Sequence, residues 1–311
     1  MTKRVVYGPV PSRRLGRSLG VDLVPYKICS YDCIYCQIGR TPAPTMERRP
    51  YVTTEKVLED VSARLNQGVA ADYITLGGSG EPTLNSNIGE IIRRLKSDTD
   101  IAVTVLTNGS TLMLQEVREE LLAADVVLPS FDAPDAEVFR QINRPYPEIA
   151  FEQMAEGMVR FREEYAGEIW LEIFLVAGLN TGNEAVRGFT SWMDRIRPDK
   201  IHLNTAVRPT AESDVQRPSD ALLVDIRDML GERAEIVVPY QGDAAGTGGE
   251  TLREDLLSLL ARRPCMLSDI ANGLNIHQHE ILKYLQPLVD AGEVEMRRTE
   301  AGTYYERARG A

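Results

Sequence analysis

The stretch "ADYITLGGSGEPTLNSNIGEIIRRLKSDTDIAVTVLTNG", residues 71–109, decides the fold. Residues 71–78 are a β-branched run that stops at glycines, which predicts a strand. Residues 85–97 have helical spacing, and residues 101–109 are a second apolar run ending in Asn-Gly. Strand, helix and strand in this order make a crossover unit, and the two strands of such a unit lie parallel.

The same alternation extends both ways. "LGVDLVP" (19–25) reads as a strand, and "TTEKVLEDVSARLNQG" (53–68) as a helix with a Thr cap and a closing glycine. Residues 112–124 are a helix and "DVVLPSFD" (125–132) a strand, followed by helices at 135–142 and 150–165. "EIWLEIFLVAG" (168–178) and "KIHLNTAV" (200–207) are strands with a helix at 184–196 between them; a helix at 219–230 leads to a last strand at 234–239. Apolar strands and helices alternating six times predict a parallel sheet covered by helices. The expectation for residues 1–240 is a partial (βα)6 TIM-like barrel, with a doubly wound open sheet as its rival. In either arrangement ligands sit at the C-terminal ends of the strands. The polar and Gly-rich tails "GGSGEP", "TNGS", "SFDAPD", "AGLN" and "NTAVRP" all fall at that edge.

The rhythm changes after "QGDAAGTGGE". Residues 241–249 read as a Gly-rich linker. Residues 250–311 read as three helices and a short hairpin, the order of a winged helix-turn-helix domain. That segment holds eight Lys or Arg against ten Asp or Glu, and the whole chain carries a formal charge of −11. A bulk nucleic-acid binder has the opposite balance, because phosphate neutralisation drives its affinity. The presumed recognition helix offers His277, His279 and Lys283 but also Glu280 and Asp290, while the wing carries Arg297, Arg298, Arg307 and Arg309. Nucleic acid is therefore an open but unfavoured partner. Packing on the barrel, dimerisation or capture of a protein substrate are the other uses of such a module. No run of about 18 apolar residues is present, so no membrane partner is expected. The N-terminus shows no apolar export signal, so a cytoplasmic location is the expectation.

Three of the four cysteines, Cys29, Cys33 and Cys36, stand within "KICSYDCIYCQIG" (27–39). In a cytosolic chain such clustering points to metal or redox chemistry before disulfides. The spacing lets three thiolates converge on one centre. Structural zinc and a fully ligated cluster both want four ligands. The fourth cysteine, Cys265, is distant, at the start of a helix, where a buried small hydrophobe is the default. His202 is the candidate that would complete a zinc site. Alternatively the missing fourth ligand is the functional position, where an open iron binds something. From Met1 to Arg49 nine Lys or Arg face three acids, so the cysteine region suits an anionic ligand or is a solvated basic face.

Cys29-x3-Cys33-x-Tyr35-Cys36 resembles the cluster-binding motif of the radical S-adenosylmethionine (radical SAM) enzymes, in which an aromatic residue usually precedes the third cysteine. "GGSGEP" (77–82) resembles the Gly-Gly-Glu-Pro loop of that family, lengthened by Ser79 and Gly80, and "LTNG" (106–109) is also typical. The resemblance covers roughly residues 15 to 210. It implies a [4Fe-4S] cluster held by Cys29, Cys33 and Cys36, with S-adenosylmethionine chelating the open iron. Reductive cleavage would then give a 5′-deoxyadenosyl radical that takes hydrogen from a substrate. Cofactor contacts are expected from Tyr35, from the backbone of Gly77, Gly78, Ser79, Gly80 and Glu81, and from Asn108. Ser130 and Asp132 end a strand where related enzymes place a polar contact to the cofactor; capping of the helix near Asp135 is the alternative. Asn180 and Asn204 end strands where an amide would meet ribose or adenine. Arg208 would pair an anion, and Glu172 sits inside a strand, facing either the barrel or the helices.

"YGPVPSRRLGRSLG" (7–20) and "INRP" (142–145) resemble a group of radical SAM proteins related to the tRNA wyosine-forming enzymes. Those enzymes carry extra cysteines for a second cluster, which this chain lacks. Arg13, Arg14 and Arg17 would lie near the barrel mouth, meeting an anion or tying the N-terminal arm to acidic helices. The substrate is not legible. A reducing partner such as a ferredoxin or flavodoxin is implied. The rival readings are an iron–sulfur or zinc redox sensor that binds DNA, and a radical SAM enzyme that modifies tRNA or another RNA.

Overall fold

The computed structural model describes residues 4–12, 14–237, 250–274, 278–299 and 302–308. Arg13, His277, Arg309 and the Gly-rich stretch 241–249 lie outside the described residues, as do the side chains of His279 and Glu280. One eight-stranded sheet runs through the chain in sequence order. It opens with an antiparallel hairpin, β1 (Val6–Ser12) and β2 (Gly16–Asp22). Six further strands add in parallel: β3 (Tyr73–Gly77), β4 (Ala102–Thr107), β5 (Val126–Pro129), β6 (Glu168–Leu175), β7 (Lys200–Thr205) and β8 (Ala234–Ile236). Helices fill the connections: α1 (Thr54–Leu65), α2 (Ile88–Asp98), α3 (Gln115–Leu121), α4 (Ala136–Ile142), α5 (Phe151–Glu164), α6 (Asn183–Ile196) and α7 (Asp220–Leu230).

Strand order decides between the two expected architectures. A doubly wound sheet reverses direction at a switch point. Here the order never reverses, so crossovers of one hand put every helix on the same face, and the sheet curls as an incomplete barrel. Hairpin strand β1 was not expected from the sequence; Gly8, Pro9 and Pro11 disguise it as an irregular arm.

Side-chain alternation separates the two faces. Ile169, Leu171, Ile173 and Leu175 of β6 join the core under the helices, while Trp170, Glu172 and Phe174 face inward. Ile201 and Leu203 of β7 are core, and Asn204 faces inward. The barrel floor is a separate apolar cluster of Leu15, Val126, Leu128 and Trp170, with Tyr73 and Leu106 packed on it. Above that floor the interior turns polar, with Ser18 bonded to Thr75 at 2.7 Å.

Residues 250–308 contain α8 (Glu250–Leu260), β9 (Cys265–Met266), α9 (Leu267–Leu274), α10 (Gln278–Asp290), β10 (Val294–Thr299) and β11 (Gly302–Arg307), with an antiparallel sheet in the order β10-β11-β9. Their buried residues, among them Leu256, Leu260, Ile270, Ile281 and Leu285, form a cluster of their own that Val10 of β1 packs against. Cys265 lies in β9 rather than at the start of a helix, and is fully buried. Polar ties among the described residues hold this segment on the barrel, one of them Arg208 with Asp269 at 3.4 Å. Arg64 bridges Asp255 at 2.9 Å and the Gly8 carbonyl at 2.7 Å; Arg262 meets Asp22 at 2.6 Å; the Tyr304 hydroxyl donates to the Val207 carbonyl at 2.9 Å. Among the described residues no helix is long and apolar enough to cross a membrane.

Candidate active site at the barrel mouth

The loop from Leu23 to Tyr51 leaves β2 at its C-terminal end and carries the three cysteines across the mouth. It borrows its shape from a neighbour. Asp32 N–H donates to the carbonyls of Asn143 and Arg144, Ile34 N–H to that of Ile142, and Tyr146 N–H to that of Ser30. The "INRP" stretch is thus the edge on which the cysteine loop is laid, which gives those residues a physical reason. Asp32 closes the loop by accepting from Thr41 N–H at 2.6 Å and Arg40 Nε at 2.8 Å.

Cys29, Cys33 and Cys36 are partly exposed free thiols that line one cavity of about 360 Å³. Each sulfur has its own nitrogen donor: Asn108 Nδ2 at 3.6 Å from Cys29, Asn143 Nδ2 at 3.6 Å from Cys33, and Lys27 Nζ at 3.2 Å from Cys36. Donors of this kind favour the thiolate. Burial acts the other way, pushing the Cys29 thiol up to about 12 and raising Cys33 well above its ordinary value. Sulfurs pulled both ways suit a cationic centre that displaces their protons. Among the described residues no three His, Cys, Asp or Glu side chains stand close enough together to hold a single metal ion. His202 does not complete a zinc site: its Nε2 sits 2.8 Å from Glu235, and its ring packs edge-on against Trp170. Glu235 is more than half exposed, so its charge is screened and burial dominates, holding the imidazole neutral with a pKa down to about 3. Cys265 does not line the cavity.

The "GGSGEP" turn lies against the start of the cysteine loop. Lys27 N–H donates to the Ser79 carbonyl at 2.8 Å and Glu81 N–H to the Ile28 carbonyl at 2.9 Å. Gly80 is required by this approach, since a Cβ there would stand 2.0 Å from the Ile28 carbonyl oxygen. Gly78 has φ +107° and leaves room for Asp22, whose carboxylate accepts from Ser79 N–H at 2.9 Å. Gly78 and Gly80 face the cavity; Gly77, Ser79 and Glu81 do not line it. Glu81 is almost wholly buried and works inside the wall. It accepts from Thr83 N–H, Thr83 Oγ1, Thr107 Oγ1 at 2.7 Å and Asn108 N–H at 2.7 Å, tying the end of β3 to the end of β4. Burial nevertheless raises its pKa.

Tyr35 lines the cavity, stacks on Phe174 with centroids 4.0 Å apart, and donates from its hydroxyl to Asp132. Asp132 sits behind it. Its oxygens also accept from Phe174 N–H and Asn143 Nδ2, both at 2.8 Å, and desolvation pushes its pKa up to about 6. It neither caps α4, which Asp135 does, nor lines the cavity. Ser130 bridges to Glu172 through the backbone and also lies off the cavity. Asn180 corrects the sequence expectation most sharply. Its amide is spent on backbone, accepting from Val176 N–H at 2.7 Å and donating to the Asp132 and Phe174 carbonyls at 2.8 Å, with no exposed surface. Asn108 holds Ser30 and Cys29 rather than lining the cavity. Asn204 does line it, and donates to Glu172 at 3.2 Å.

Glu172 points into the barrel, where Arg14 pairs with it. Arg14 reaches this place from the β1–β2 turn, at the opposite end from the mouth, and Arg17 turns outward to Asp72 at 2.7 Å. Neither is a mouth residue. Arg208 lines the cavity and meets Asp269 at 3.4 Å. Sequence reasoning missed Lys27 and Asn143 as sulfur donors, although both lie in stretches it had singled out. It also missed Arg262 and Arg263, which no local pattern marked.

The radical SAM superfamily model matches residues 23–187. That span covers the cysteine loop, β3 to β6 and the start of α6. The chain belongs to the radical SAM superfamily. It is an enzyme of that class, with a [4Fe-4S] cluster and S-adenosylmethionine as its cofactors. A protein of Brachyspira hyodysenteriae named GTPase Obg is 37% identical over 94% of this chain and 43% of its own length. A UPF0026 protein of Methanocaldococcus jannaschii is 32% identical over 88% of this chain and 87% of its own. The chain therefore spans less than half of the first relative and most of the second. A radical SAM methyltransferase from Sphaerobacter thermophilus shares the fold, with a TM-score of 0.53 at 19% identity over 70% of this chain and 65% of its own.

Proposed function

We propose that this enzyme cleaves S-adenosylmethionine reductively at the barrel mouth and uses the product to take hydrogen from a substrate held in the same cavity. The observation that carries the reading is the set of three thiols, each with a separate nitrogen donor, facing one cavity beside Gly78 and Gly80. Cys29, Cys33 and Cys36 would hold the cluster. When bound, the cluster supplies the electron that breaks the sulfonium and yields a 5′-deoxyadenosyl radical. The chain's own residues do the rest. Lys27, Asn108 and Asn143 stabilise negative charge on the three sulfurs. Gly78 and Gly80 let the cofactor approach the backbone, and Tyr35 with Asn204 forms walls of the cavity. The apolar floor of Leu15, Leu128 and Trp170 closes the far end against water.

We read residues 1–240 as the barrel, 241–249 as a linker and 250–311 as a winged helix-turn-helix domain; the helix–strand–helix–helix–hairpin order supports the last. A ferredoxin or flavodoxin would deliver the electron, and no membrane is needed. A relation to wyosine-forming enzymes rests on the "INRP" and N-terminal stretches alone. The activity in the name of the Brachyspira relative is not carried over, since this chain has no Gly-x4-Gly-Lys-Ser/Thr phosphate loop. The redox-regulator reading is the weaker one: a sensor needs neither the glycine turn nor a cavity beside its thiols.

The test is anaerobic reconstitution, a count of iron and sulfide per chain, and addition of S-adenosylmethionine with dithionite. About four irons per chain and 5′-deoxyadenosine as product are expected. Zinc in place of iron, or a cluster that leaves the cofactor intact, would overturn the reading.

A further inference from the structure

The cavity that holds the thiols is lined by five cations, Arg14, Lys27, Arg208, Arg262 and Arg263, and by one carboxylate, Glu172. Arg14 is matched by Glu172, and Lys27 is spent on Cys36, the Gly39 carbonyl and Thr41. The other three are under-matched. Arg262 meets Asp22, donates to the Ser258 carbonyl and hydroxyl and lies 3.6 Å over the Tyr7 ring, yet its buried Nε has no partner. Arg208 reaches Asp269 only at 3.4 Å, and its buried Nε is likewise unpartnered. Among the described residues Arg263 pairs with no carboxylate; its side chain lies against the buried Cys265 thiol. The three form one electrostatic group: Arg263 joins burial in lowering the Arg208 pKa, and both Arg262 and Arg263 act on Tyr7. Like charges gathered in a partly desolvated cavity cost free energy unless an anion joins them.

S-adenosylmethionine does not balance this wall. It carries an ammonium and a sulfonium against one carboxylate, so the cofactor is itself a net cation. We propose that Arg208, Arg262 and Arg263 form a binding site for a phosphate group of the second substrate, which makes that substrate a phosphorylated small molecule. Three guanidinium groups offer more donors than a carboxylate's two oxygens need, and a phosphate monoester presents three terminal oxygens. Arg262 and Arg263 follow α8, so residues 250–308 supply the recognition of substrate as well as a cover for the barrel. This inference rests on the radical SAM reading for the place of the cofactor.

The experiment is calorimetry on reconstituted enzyme saturated with S-adenosylmethionine, titrated with inorganic phosphate and, separately, with acetate. One phosphate per chain is expected, bound more tightly than acetate. Arg263→Gln should weaken phosphate about tenfold or more and leave cofactor affinity within about twofold. Arg263→Lys should lose less, and Arg227→Gln, on the outer helix α7, should change nothing. Arg263 is partly exposed and pairs with no carboxylate among the described residues, so Arg263→Gln strands no buried charge. No saturable phosphate binding to the wild-type enzyme would overturn the proposal, as would unchanged phosphate affinity in Arg263→Gln. Weakened cofactor with unchanged phosphate would assign the arginine to the cofactor's carboxylate instead. The readout is anion affinity rather than turnover, so enzyme that binds phosphate but never cleaves the cofactor would sink the function reading alone.

Discussion

The two walls of the cavity follow different rules. The barrel wall is built from strand ends in which every position has a fixed face. Its polar residues divide cleanly into those that line the cavity, such as Thr75 and Asn204, and those that brace the strands, such as Glu81 and Asn180. The cover contributed by residues 250–308 has no such periodicity at the site. Its two cavity arginines sit in a short connection between α8 and β9. The segment as a whole is slightly acidic, yet the part the cavity sees is strongly basic. A ligand responds to the charges within a Debye length in its own pocket, not to a segment's sum.

The largest expected effect tests the barrel wall. Cys33→Ala removes one of three ligands and should abolish stable iron binding and formation of 5′-deoxyadenosine together, read by iron analysis and product assay. Iron retained at the wild-type level would remove Cys33 from the ligand set. Cys265→Ala is the counterpart, because that thiol is buried in the cover away from the cavity. It should keep full iron content.

Glu81→Ala comes next. The variant keeps the turn but strips acceptors from the Thr83 and Asn108 N–H groups, the first buried and the second partly buried between β3 and β4. Leaving such donors unsatisfied costs about 1–3 kcal/mol each. Raised pKa and buried position mean that the carboxylate itself is costly, so the net loss should be about 3 kcal/mol in denaturant unfolding. Glu81→Gln keeps one acceptor oxygen and puts an amide donor where a second stood, which the Thr83 or Thr107 hydroxyl accepts from only by turning its own proton away, so it should fall between. A Glu81→Ala enzyme of unchanged stability and impaired cofactor binding would show that the side chain acts on the cofactor directly.

The sequence made the barrel wall legible because period-two alternation and glycine turns are local signals. Residues 71–109 alone fix the parallel unit, and Cys29, Cys33, Cys36, Gly78 and Gly80 all line one cavity. Whether a polar strand-end residue looks into the cavity or back into the wall is not local. Asn180 and Asn204 read alike, yet a tight turn folds Asn180 back onto Val176 while Asn204 stays in strand β7. Strand β1 was hidden by its prolines. The place of Arg262 and Arg263 on the cavity was illegible because it depends on docking against residues far off in sequence, as the contact of Arg262 with Asp22, 240 residues away, illustrates.

That pair of asparagines gives the third test. Asn180→Ala loses three bonds to backbone in a fully buried place and should cost about 2 kcal/mol, with cofactor affinity of the folded fraction unchanged. Asn204→Ala should cost about 1 kcal/mol and weaken binding of S-adenosylmethionine or of substrate. Calorimetric binding combined with denaturant unfolding separates the two. Equal behaviour of both variants would erase the division between lining and bracing residues.

The smallest effect belongs to the hold of the cover on the barrel. Asp255→Ala removes the partner of Arg64 but leaves that guanidinium its bond to the Gly8 carbonyl, so no buried cation is abandoned. The two side chains are 14% and 20% exposed, placing the pair between a surface bridge and a buried one. A loss of about 1 kcal/mol is expected, felt where the cover docks rather than in the barrel. Hydrogen exchange should therefore quicken in β1 and α8 while the amides of β4 to β6 keep their protection. The contacts Arg262–Asp22 and Tyr304–Val207 remain, so the cover should stay docked and phosphate affinity should drop by less than about threefold. A uniform loss of protection through the barrel would mean that cover and barrel unfold as one unit. The two walls would then share one stability as well as one cavity.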